Sequence, residues 1–167
     1  MKTLSQFQIY IDAQKWVGVQ FMLLGAGLVI ISGLALFLGN SELANGLKVG
    51  AIISGLFISI SGYAYRNTEI KLLNSQTRFF NKDHVASRLT ETKRMEKVLK
   101  DYPIYQIVFG AFIVIALIII LSANYSFWCG IALSIILLST GVIIVEAHSH
   151  HSIKHYYTYL SNLTHHE

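Results

Sequence analysis

The chain has 167 residues, 53% of them hydrophobic and only 13% charged, against roughly 25% charged in an ordinary soluble domain. One cysteine, Cys129, excludes an intrachain disulfide and a multi-cysteine zinc motif. The formal charge of +4 is not arranged as an Arg/Lys stripe with interleaved aromatics, so no nucleic-acid partner is expected.

Leu4, Phe7 and Ile11 recur at helical spacing, which predicts a short amphipathic helix lying at a membrane interface. Residues 16–38 then form the first of four apolar runs of 19 to 23 residues, the others being 47–65, 104–123 and 127–145. About 20 helical residues cross a hydrocarbon core of roughly 30 Å, so all four can span. The first run is too long for a signal core of about 7 to 15 residues, and no clear small-x-small cleavage site follows it. A retained helix is expected.

Helices in lipid associate by close backbone approach, which small residues permit. Span one carries Gly18, Gly25, Ser32 and Gly39 at intervals of seven, a single seam. Span two carries two rows at intervals of four, Gly46, Gly50 and Ser54 beside Ala51, Gly55 and Ser59. Two rows predict two packing partners. Span three is bulky and β-branched nearly all round, so it should face lipid. Span four is intermediate, with Gly130, Ser134 and Gly141 on a rough common face.

The connection 66–103 holds nine of the thirteen Lys/Arg residues, whereas GNSELANG and SANYS hold no basic residue. Basic residues concentrate on the cytoplasmic side, which puts this connection and both termini in the cytoplasm of a cell-membrane protein. Within it Val85, Leu89, Met95, Val98, Leu99 and Tyr102 fall largely on one helical face behind a capping Asp83. Beyond span four, residues 146–167 repeat the pattern with Ile153, Tyr156, Tyr157, Leu160 and Leu163. The expected fold is all-α: four transmembrane helices in two hairpins, forming a single domain with cytoplasmic helical extensions.

Chemistry is sparse. No Asp, Glu, Lys, Arg or His lies in the middle of a span, although such residues usually mark proton relays and substrate sites. Phosphate-binding glycine loops, HExxH and GxSxG are missing, so no enzyme is expected. Ser54, Ser61 and Ser134 could line a weakly selective pore; their hydroxyls could equally bond their own helix carbonyls four residues back. The stretch EAHSHHSIKH at 146–155 is the densest cluster of ligating residues. On a helix His148, His151 and His155 share one side, and Glu146 pairs with His150 on the other. His151 and His155, at i and i+4, could share a zinc ion, but structural sites are normally closed by four ligands. The rest would have to come from Glu69, His84, or the terminal His165, His166 and Glu167. The solvated end of a helix is the simpler expectation, with no cofactor.

From these features the expected role is that of a non-catalytic membrane protein acting through helix–helix association, as an accessory, regulatory or immunity-type subunit. Its partners would be the bilayer and either copies of itself or another membrane protein. A serine-lined oligomeric channel and a metal-binding membrane protein are the alternatives.

Overall fold

The computed structural model describes residues 2–37, 41–80, 83–123 and 126–164. Gly39, His165, His166 and Glu167 lie outside the described residues, as do the side chains of Leu4 and His84. Four helices follow one another: α1 Lys2–Leu34, α2 Glu42–Phe80, α3 His84–Ser122 and α4 Phe127–Thr164. Each contains a stretch long and apolar enough to cross a membrane. At 1.5 Å per residue the 38- and 39-residue helices are about 57 Å long, nearly twice the roughly 30 Å hydrocarbon core. One half of each can be apolar span; the other must extend beyond it.

Local chemistry sets the helix starts. The Asp83 carboxylate accepts from the Val85 and Ala86 amides, both at 3.0 Å, and caps α3. The Ser41 hydroxyl accepts from the Ala44 amide at 3.2 Å ahead of α2. Each satisfies amides that have no partner within the first helical turn. Pro103, the only proline in the chain, lies inside α3, where it removes one backbone hydrogen bond without ending the helix.

α4 is the hub of the bundle: it packs on α1, α2 and α3, α1 packs mainly on α2, and α2 and α3 barely meet. The α1–α2 pair is antiparallel, since the Ser32 hydroxyl donates to the Lys48 carbonyl at one end and the Tyr65 hydroxyl to Gln14 at the other.

The apolar half is closed by glycines. A methyl at Gly18 or Gly25 of α1 would strike the Gly62 or Gly55 carbonyl of α2, and Gly25 also faces Ser59. Gly46 of α2 lies against the Phe127 carbonyl and Gly130 of α4, and Gly50 against Ser134 and Ile131. Thus Gly55 and Ser59 face α1, while Gly46 and Gly50 face α4. Gly130 and Ser134 serve the α2 contact, and Gly141, within about 40° of them at about 100° per residue, meets Leu24 of α1. Around these contacts Val17, Phe21, Leu28, Ile58 and Val142 form an apolar core. Lipid supplies no hydrophobic force between helices, so shape fit must hold this half together.

The other half has a core of its own, built from Phe7, Tyr10 and Ile11 of α1, Met95 of α3, and Ile153, Tyr156 and Leu160 of α4, with Leu72 and Leu73 of α2 against it. Two sequence expectations change here. Residues 5–14 are not a separate interfacial helix; they are the first turns of α1, and Phe7 and Ile11 are buried in protein. No helix breaker separates them from span one, so the helix runs on and its stripe finds three neighbouring helices. Likewise the inward face of α3 starts late: Val85 and Leu89 are about half exposed, while Ser87 and Glu91 turn inward.

Exposed aromatics mark both ends of the apolar half. Trp16, Tyr63 and Tyr105 lie near one border and Trp128 near the other, as expected of side chains that favour the headgroup level. Between them α3 presents Ile107, Val114, Ile115, Ile118 and Leu121 outward.

Candidate functional site

Residues 10–14 of α1, 65–69 of α2, 94–105 of α3 and 146–153 of α4 come together, and polar side chains gather there. Gln14 of α1 is fully buried. Its side-chain carbonyl accepts from the Tyr65 hydroxyl of α2 at 2.8 Å and the Ser149 hydroxyl of α4 at 3.0 Å. One amide therefore ties three helices together, and its own Nε2 is buried without a partner.

Beside this knot lies a cavity of about 360 Å³. Tyr10, Tyr65, Tyr102 and Tyr105 line it with Glu69, Arg94, Glu146 and Ser149, so every helix contributes. Arg94 is engaged elsewhere: its Nε and Nη2 donate to the two Glu91 oxygens at 2.9 and 2.6 Å, and its guanidinium carbon lies 5.7 Å from the Tyr10 ring centre. Burial opposes the Arg94 charge, but the Glu91 hydrogen bonds and carboxylate outweigh it and raise its pKa. Glu69 has no such partner. It is 6% exposed, and its Oε2 is buried with no hydrogen bond. Burial pushes the Glu69 carboxyl above its usual range; Arg94 nearby only partly offsets this. Burial likewise raises the Tyr10 and Tyr156 phenols, whose rings stack at 4.7 Å. Tyrosines and under-compensated carboxyls thus share one cavity, suited to holding a positive group.

The histidines do not converge. His148, His151 and His155 are exposed on α4. His150 instead stacks on Tyr102 with ring centres 4.1 Å apart, and its Nδ1 is buried without a partner. Glu146, expected to pair with His150, lines the cavity with Glu69. Among the described residues no three His, Cys, Asp or Glu side chains come together as a metal site. A more open groove of about 510 Å³ runs beside His151, Lys154 and His155, and its lining comes from α4 alone.

Nor do the serines share a surface. Ser134 is fully buried, with its hydroxyl near the Gly130 carbonyl at 3.2 Å and the Leu47 carbonyl at 3.3 Å. The Ser61 hydroxyl donates to the Phe57 carbonyl one turn back at 2.9 Å. Ser54 is half-buried on α2.

Gln14, Tyr10, Tyr65, Glu91 and Arg94 were not singled out by sequence reasoning. The available signal was positional: Gln14, Tyr65, Tyr105 and Glu146 each fall within two residues of a span boundary. No protein-family model, curated protein or solved structure matches the chain.

Proposed function

We propose that the chain is an integral protein of the cell membrane whose helices form two hairpins, α1–α2 and α3–α4, with residues 66–103 and both ends in the cytoplasm. It acts without catalysis, through helix–helix association, as an accessory, regulatory or immunity-type subunit. The observation that carries this is the way the apolar half closes. Gly18, Gly25, Gly55 and Gly62, and on the other side Gly46, Gly50 and Gly130, bring backbones into contact where a transporter or channel would need polar side chains and space. The bulky outer face of α3 is left for lipid or for another membrane helix. The polar groups collect outside the spans, where a regulatory contact would be made.

Crosslinking in intact membranes, followed by mass measurement in lipid nanodiscs, tests the proposal. A defined oligomer or a stoichiometric complex with one other membrane protein is expected, together with silence in planar bilayers. A strictly monomeric population, or unitary conductance altered by Ser134→Leu, would overturn it; the second result would put the serine-lined channel in its place.

A further inference from the structure

We propose that the cavity between Glu69 and Glu146 is a binding site for an organic ammonium group, carried either by a free amine or by the headgroup of a zwitterionic lipid. Its walls fit that chemistry. Four tyrosines line it, and aromatic rings with neighbouring carboxylates are how proteins hold alkylammonium ions. The volume of about 360 Å³ is at the small-ligand end of binding pockets, roughly 300 to 1,000 Å³.

Charge decides the sign of the ligand. Arg94 also lines the cavity but is bound on two nitrogens by Glu91, so its charge only partly offsets the two lining carboxyls. Lys15, the other cation felt by Glu69, is paired with Asp12 at 3.0 Å. Glu69 is more than nine-tenths buried, lines the cavity and leaves one oxygen without a hydrogen bond. A buried carboxyl oxygen in that state lacks a donor or cation. An anionic ligand would meet two carboxyls and an occupied arginine. A metal ion would find two acidic ligands, and no triad of His, Cys, Asp or Glu forms among the described residues.

The location admits both sources. Tyr65 and Tyr105 stand at the ends of spans two and three, and Tyr105 is 54% exposed. α2 and α3, which both line the cavity, barely meet, so the proposal includes a route between them. A headgroup could enter sideways and a free amine from the aqueous end.

The test uses the full chain in maltoside micelles and in nanodiscs. Choline, ethanolamine and tetramethylammonium chlorides are titrated by calorimetry against sodium chloride at equal ionic strength. Lipid retention is read by native mass spectrometry from phosphatidylethanolamine and phosphatidylglycerol nanodiscs. Saturable binding near one amine per chain identifies a free amine as ligand. Selective retention of phosphatidylethanolamine, with choline or ethanolamine only displacing it, identifies the headgroup. Either result should weaken at least tenfold in Glu69→Gln and in Glu146→Gln, and be unchanged in Glu96→Gln, whose side chain is exposed. Far-ultraviolet dichroism confirms that each variant is folded. Absence of saturable amine binding together with equal retention of the two lipids would overturn the proposal. So would full binding in the Glu69→Gln/Glu146→Gln double variant.

Discussion

Replacing Gly55 by alanine measures how much the apolar half depends on backbone contact. The added methyl carbon would lie 2.7 Å from the Gly25 carbonyl oxygen and 2.9 Å from Val29 Cγ2 of α1, against 3.4 Å for an ordinary contact. Because the first obstacle is backbone, no side-chain rotation relieves it, and α1 and α2 must part by about 0.7 Å; a gap of that order forfeits roughly a quarter to a half of the dispersion attraction at the affected contacts. Overpacking of this kind costs on the order of 1 to 3 kcal/mol, and the better helix propensity of alanine returns at most about 1 kcal/mol. Even at full return a net loss of up to about 2 kcal/mol is therefore expected. Gly27, on the same helix as Gly25, is the control, since a methyl there meets nothing within 4 Å. Gly27→Ala should be neutral or slightly stabilising. Unfolding of both variants in mixed micelles of rising dodecyl sulfate fraction, followed by circular dichroism, gives the difference. Equal losses in the two variants, or a gain in Gly55→Ala, would refute a glycine-held α1–α2 seam.

Three further outcomes are expected. Gly50→Leu, pressed against Ser134 and Ile131, should lower detergent stability far more than Ile115→Leu on the outward face of α3; equal losses would mean α2 does not depend on that contact. Single cysteines introduced near Ser75 and Ser161, with Cys129 replaced, should resist an impermeant thiol reagent in intact cells, and ready labelling would invert the topology. Glu69→Gln should change how stability depends on pH. A carboxyl whose folded-state pKa exceeds its unfolded value of about 4.3 stabilises the fold below that value, and this contribution is lost as pH rises through the folded value. Wild-type stability should therefore fall relative to Glu69→Gln as pH rises above about 4 and through the raised folded value, and parallel curves would show that Glu69 is solvated.

Much of the architecture was legible because span length and small-residue spacing are local properties. The intervals of Gly18, Gly25, Ser32, Gly46, Gly50 and Gly55 can be read along one chain, and these residues lie where helices meet. Asp83 was legible for the same reason, since a cap is decided within three residues. The cavity was not. Glu69 and Glu146 are 77 positions apart, and nothing in either neighbourhood says that their helices align at the same height or that Arg94 is held by Glu91. In the cluster 146–155, expected to be the solvated end of a helix, adjacent residues point in different directions: Glu146 turns to the cavity, His150 to Tyr102, and His148, His151 and His155 outward. Residues 5–14 were misjudged because an amphipathic stripe reads the same whether lipid or protein covers it.

The polar-half core joins the first turns of α1 to the last turns of α4, through the stack of Tyr10 on Tyr156 and the bond from Ser149 to Gln14 across 135 positions. During synthesis the two sides of this core emerge far apart, with the apolar stretches of all four helices between them. Phe7, Tyr10 and Ile11 can gain partial cover from Leu72 and Leu73 of α2 and Met95 of α3, but the core is complete only when α4 arrives. Closure of that core is thus a record that translation and insertion have run through α4. A ribosome stalled before residue 149 would leave that apolar face incompletely covered, the kind of surface that chaperones and proteases recognise.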